Sequence, residues 1–233
     1  MGAYAWWQLR DYLLERGVST FVLGAVVVLA PVALVGPAAR EAGPAVLGGT
    51  VGSFAMLGTI FAVNGLSSID RQRGYFRFLF SKPVSVPRYY AQAFAVRMAG
   101  LLGVAALIFW LFALLTHGAV PLWALASVAL TYLLVGGVGF LLAALTRHDG
   151  LALVAVLVAT TLVRAAASLS PGAGSALRAA GAVLPPLHAL DAARDALAGG
   201  TAPPAGVLVW VLSYGLGCLA AGLLVLRHRP LAT

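Results

Sequence analysis

Few side chains in this sequence could do chemistry, and their spacing excludes most of it. The four histidines, His117, His148, His188 and His228, stand far apart with no ligand-like spacing, so a metal site is not expected. The single cysteine, Cys218, lies inside an apolar stretch and rules out an intrachain disulfide framework. A Gly-x-Ser-Gly nucleophile with a partnered histidine is missing, and the apolar stretches hold no cluster of His, Asp or Glu for metal-assisted hydrolysis. No loop of the form G-x-x-x-x-G-K-[ST] is present to cradle a nucleotide's phosphates. The residues therefore argue against an enzyme, and against a cofactor held by this chain.

What remains is two runs and a few isolated polar groups. Residues 69–85 read IDRQRGYFRFLFSKPVS. If 71–81 is helical, Arg73, Arg77 and Ser81 stack at i, i+4 spacing, while Phe76 and Phe80 form an apolar edge. Pro83 ends the helix, because residues before proline avoid the α region. A short helix with a basic ridge and aromatic edges suits anionic lipid headgroups or a groove on a partner protein; charge that merely fixes topology is the third reading. Residues 184–200 read LPPLHALDAARDALAGG, where Asp191 and Arg194, three apart, suggest a surface pair.

The elements that must position these groups are set by composition. Hydrophobic residues make up 61% of the 233 and charged residues only 9%, with a mean hydropathy of +0.97. A water-facing domain carries about 25% charged residues, so this chain must present apolar surface to lipid. About 20 apolar residues cross a bilayer as a helix, and six such stretches occur, at 19–36, 46–67, 91–115, 119–145, 150–169 and 204–226. Only 116–118 separates the third from the fourth. The alternation of a membrane barrel strand is lacking. The expected fold is a single all-α transmembrane domain over 1–233, with an amphipathic interfacial helix at 1–18, a cytoplasmic loop at 68–90 and an outer segment at 170–203. In 4–16, Gln8, Asp11 and Glu15 share one helical face and Trp6, Leu9, Leu13 and Leu14 lie opposite, which predicts a helix lying in the interface.

Charge sets orientation. Eleven basic residues (Arg10, Arg16, Arg71, Arg73, Arg77, Lys82, Arg88, Arg97, Arg147, Arg227 and Arg229) fall on one side, and Arg40, Arg164, Arg178 and Arg194 on the other. The richer side is cytoplasmic by the positive-inside rule, which puts both termini in the cytoplasm. The net charge of +8 lies mostly beside the spans, so nucleic acid is not expected as a partner. Within the spans a Thr or Ser hydroxyl usually bonds its own helix. Asn64 is the sharper case, because its amide must find another helix or a cavity. Arg164 reads as the only charge within a span, near enough to its outer end to snorkel to the headgroups.

The run at 69–85 resembles the type-2 permease family of ABC exporters. Those permeases carry, between the second and third spans, an acidic residue, a basic cluster, Arg-Gly, an apolar helix and Ser-Arg/Lys-Pro-Val-Ser. Here these are Asp70, Arg71 with Arg73, Gly74, 76–80, and 81–85. Residues 184–200 are similar to the family's Pro-containing outer segment before the last span, often drawn as a re-entrant or surface helix. Order, spacing and span number agree along the whole chain, although Arg77 stands where the family often has Glu. The resemblance implies a coupling helix that docks on a separate ATPase subunit through Asp70, Arg71, Arg73, Gly74, Phe76, Arg77, Phe80 and Lys82. It implies a membrane-spanning subunit of an exporter in the cytoplasmic (inner) membrane, acting as a dimer (a homodimer or with a close paralogue) with two ATPase copies. ATP and Mg would sit on those partners. Its second and fifth spans would line the path, which singles out Thr59, Asn64 and Thr160. A non-transporting scaffold of a larger complex, or an intramembrane enzyme, are the alternatives.

Overall fold

The computed structural model describes residues 2–35, 39–66, 85–146, 149–169, 181 and 183–228. Among them every regular element is a helix. We number these α1 (2–35), α2 (Ala39–Val63), α3 (Val86–Thr116), α4 (122–145), α5 (Asp149–Leu169), α6 (Leu187–Ala198) and α7 (Ala205–His228). All but α6 are long and apolar enough to cross a membrane. Six such helices fit a multi-pass membrane protein and match the number of apolar stretches in the sequence. The end of the bundle where the chain starts is called proximal here, and the opposite end distal.

Local chemistry explains where the boundaries depart from the apolar runs. Helix α3 begins at Val86 rather than 91, because Pro87 in the first turn has a preset φ and no N–H to leave unpaired. It ends at Thr116, where His117 takes a left-handed φ of 52° and the Gly118 N–H closes back on the Ala113 carbonyl at 3.0 Å. Pro121 then delays α4 to Leu122, so the connection is longer than 116–118.

The segment expected to lie apart at 1–18 is helical, but it is not set off from the first span. Residues 2–35 form one helix with two π-turns, at Leu13–Gly17 and Ala25–Leu29. Gly17 keeps helical dihedrals (φ −61°, ψ −42°), so nothing breaks the helix there. The segment stands alongside α3 in parallel. The Gln92 amide reaches Gln8 at 3.4 Å, Tyr12 lies over Gly100, and Gly24 lies against Ile108. Gln8 and buried Tyr12 thus face a neighbouring helix, while Trp6 and Trp7 point outward.

In lipid, helices associate through close packing of small residues more than through burial of apolar area. Helices α4 and α7 meet this way: a Cβ on Gly137 would strike the Gly215 carbonyl oxygen, and one on Gly215 the Leu133 carbonyl. Between α3 and α4 the buried rings of Phe94 and Tyr132 stand 4.8 Å apart, and the Tyr132 hydroxyl donates to the Phe94 carbonyl at 2.9 Å. Helix α5 differs. Only 17% of its apolar window is buried, against 67% for α4, and Asp149 in its first turn and Arg164 further along make polar contacts with other parts of the chain.

Candidate functional site: two polar nodes and a distal cleft

The proximal node closes the end of α2. Beyond Val63 the chain turns through Asn64, Gly65 and Leu66, with Gly65 at a φ of 77°, which glycine adopts without a Cβ penalty. The last carbonyls of a helix lack intrahelical donors, and Arg97 of α3 supplies them: its Nη1 donates to the Ala62 oxygen at 3.0 Å and the Asn64 oxygen at 3.3 Å. The Gly65 N–H in turn donates to Asp149 Oδ2 at 2.9 Å. Asp149 is buried in the first turn of α5, where the helix dipole favours a carboxylate. The Asn64 side chain lies over Gly150; a Cβ there would come within 3.1 Å of its Oδ1. The last turn of α2 is therefore tied to α3 and α5 immediately before residue 67.

Asp70, Arg71, Arg73, Gly74, Phe76, Arg77, Phe80 and Lys82, the coupling run, lie outside the described residues. Arg164 is not the only charge within a membrane-length helix, as the sequence suggested. Arg97 lies inside α3, and Asp149 opens α5.

The distal node centres on Asp191 of α6. Its Oδ2 accepts from Arg164 Nη1 at 2.8 Å, and its Oδ1 from Arg194 Nη2. Arg164 thus meets a carboxylate across the bundle, where a lone snorkelling side chain was expected. Leu187, Ala189, Leu190 and Ala193 bury one face of α6 in the core, which leaves the Asp191–Arg194 side facing α2. There the Arg194 guanidinium lies against Gly52, where any Cβ would collide with Nη1.

Between α2, α6 and the start of α4 lies a cleft of about 710 Å³. Gly48, Gly52 and Met56 form its α2 wall, Trp123 comes from α4, and Asp191, Arg194 and Asp195 come from α6. The absence of side chains at Gly48 and Gly49 helps keep it open, since neither has any neighbouring atom within 4 Å of where a Cβ would stand.

The three residues singled out for a path are not brought together. Thr59 is fully buried with no hydrogen-bond partner for its hydroxyl. It lies seven residues, about two turns, from Gly52 and so on the same face of α2. Asn64 sits in the proximal node. Thr160 donates to the Val156 carbonyl of its own helix at 2.7 Å, as lipid-embedded threonines commonly do. At 1.5 Å per residue Thr59 stands about 8 Å from the proximal node and Thr160 about 16 Å from it. None of the three lines the cleft.

Arg97, Asp149 and the Arg164–Asp191 pair carry the geometry, and the sequence reading missed their roles. A signal existed: a charge within or beside an apolar stretch must find a partner. Such charges number few here. No family model matches this chain, and no curated protein or solved structure matches it.

Proposed function

We propose that this chain is the membrane-spanning permease subunit of an ATP-driven exporter, working as a dimer with two separate ATPase subunits. One observation carries the reading: the run at 69–85, with its acidic residue, basic cluster, aromatic edge and SKPVS tail, joins α2 to α3. Six membrane-length helices and the absence of a phosphate-binding G-x-x-x-x-G-K-[ST] sequence support it. The proximal end is then cytoplasmic, as the eleven-to-four division of basic residues requires. Trp6 and Trp7 would meet the headgroups from the outward face of α1. Closure of two ATPase subunits on nucleotide would pull on 71–81. The pull reaches α2 at the turn held by Arg97 and Asp149, so α2, α3 and α5 would move together as a rigid-body switch. ATP hydrolysis belongs to the partner, and this chain is not an enzyme.

The test is capture of the ATPase by tagged variants, with expression level as control. Phe76→Ala or Phe80→Ala removes an aromatic anchor, a truncation that commonly costs about 2 kcal/mol or more in an interface and so weakens capture at least about tenfold. Arg73→Glu with Arg77→Glu reverses two charges and slows association, most visibly at low salt. A headgroup-binding run would respond to charge reversal and leave the ATPase bound. Undiminished capture by all the variants removes the coupling assignment.

A further inference from the structure

We propose that the distal cleft is a binding site for a zwitterionic amphiphile, its anionic group on Arg194, its cationic group on Asp195 and Trp123, and its chain along α2. Depth points to this first. Gly52, against which Arg194 lies, stands twelve residues from Asn64, or about 18 Å up α2 from the proximal node. Arg164 stands fifteen residues from Asp149, about 22 Å up α5. If the proximal node marks one boundary of a hydrocarbon layer about 30 Å thick, the charges of the distal node lie within it, roughly 10 Å from the far side. Ionisable groups at such depth are costly unless paired or facing a cavity; Asp191 pairs with both arginines, and with Arg194 it lines the cleft.

The chemistry of the walls points the same way. Asp191 is shared between two guanidinium groups, so Arg194 is only partly neutralised and keeps an attraction for an anion. Asp195 lines the same cleft and has no salt-bridge partner among the described residues. Trp123 also lines the cleft, and tryptophan is the side chain that best binds quaternary ammonium groups. A purely anionic ligand would face Asp195, and a purely cationic one Arg194; a ligand with both signs satisfies each. Met56 and Leu57 extend the cleft with apolar surface, and Gly48 and Gly49 leave room for a chain to lie against backbone. That this ligand is transported rests on the permease reading; that it binds does not.

The experiment is native mass spectrometry of the full-length chain in a non-ionic maltoside. Four probes differ only in what they offer: dilauroyl phosphocholine, dilauroyl phosphatidic acid, a dilauroyl trimethylammonium lipid, and tail-less glycerophosphocholine. The phosphocholine lipid should bind about tenfold tighter than either lipid of a single sign: over the trimethylammonium lipid through the charge-assisted hydrogen bond of its phosphate to Arg194, and over phosphatidic acid through the attraction of its ammonium to Asp195 and Trp123. The tail-less head should not be retained. Asp195→Asn should bring the phosphocholine lipid down to the level of phosphatidic acid. Gly48→Leu should weaken the phosphocholine lipid about tenfold by filling the cleft, and the open space at Gly48 lets the thermal midpoint serve as a control for folding. Equal retention of the three lipids, or a folded Gly48→Leu protein that still retains phosphocholine, overturns the proposal. ATPase capture is scored separately, so a cleft that binds nothing in a chain that captures its ATPase defeats this inference alone.

Discussion

At the scale of single residues, the polar contacts differ in what they contribute because they differ in burial. Asp149 is 7% exposed and accepts the Gly65 N–H, a donor no other described group satisfies. Asp149→Ala leaves that N–H without a partner, and a lost hydrogen bond to a charged group costs about 2 kcal/mol. Asp149→Asn keeps an acceptor and should cost less. Thermal unfolding of the detergent-solubilised protein should order the three proteins wild type, Asn, Ala; equal midpoints would detach α5 from the end of α2. The distal ion pair should behave otherwise. Arg164 and Asp191 side chains are 49% and 41% exposed, and Arg194 still pairs with Asp191 when Arg164 is removed, so the carboxylate keeps a partner. Arg164→Gln should therefore leave the unfolding midpoint in detergent nearly unchanged. A loss as large as that of Asp149→Ala would mean that Arg164 supports the bundle itself.

At the scale of elements, the contact between α4 and α7 is one where an added methyl group meets backbone atoms that cannot turn aside. Gly137 and Gly215 let the two backbones touch. Gly215→Leu must push the helices apart, and overpacking typically costs about 1–3 kcal/mol. Gly217 on the same helix has no neighbouring atom within 4 Å of where a Cβ would stand, so Gly217→Leu is the matched control and should leave the midpoint unchanged. Apolar run length made the six long helices legible in the sequence, because a bilayer fixes how many residues must be apolar. The disposition of 2–16 was not legible. A helical wheel shows that Gln8 and Tyr12 share a face with other residues, but not whether that face meets water, headgroups or α3. Arg97 and Asp149 were hidden for a related reason: their partners are backbone groups of a turn that forms only once α2 ends at Gly65. The cleft was least legible of all, since it depends on Arg194 reaching a glycine more than a hundred residues earlier in the chain.

At the scale of the whole molecule, the proposed permease role requires the proximal end to lie in the cytoplasm, facing an ATPase. In a Cys218→Ser background, Thr201→Cys should react with a membrane-impermeant thiol reagent on intact cells and Arg88→Cys should not. The reverse pattern would invert the topology that the charge count dictates. In the proposed reading, dimerisation and ATP dependence belong to the assembled complex. The most direct measurement is therefore ATP hydrolysis by the complex that co-elutes with the tagged chain from its own membranes. A coupled permease should bring with it a vanadate-sensitive ATPase, present at two copies per two copies of this chain, whose recovery falls at least about tenfold with Phe76→Ala. A monodisperse chain that carries no ATPase and yet transports after reconstitution would contradict it.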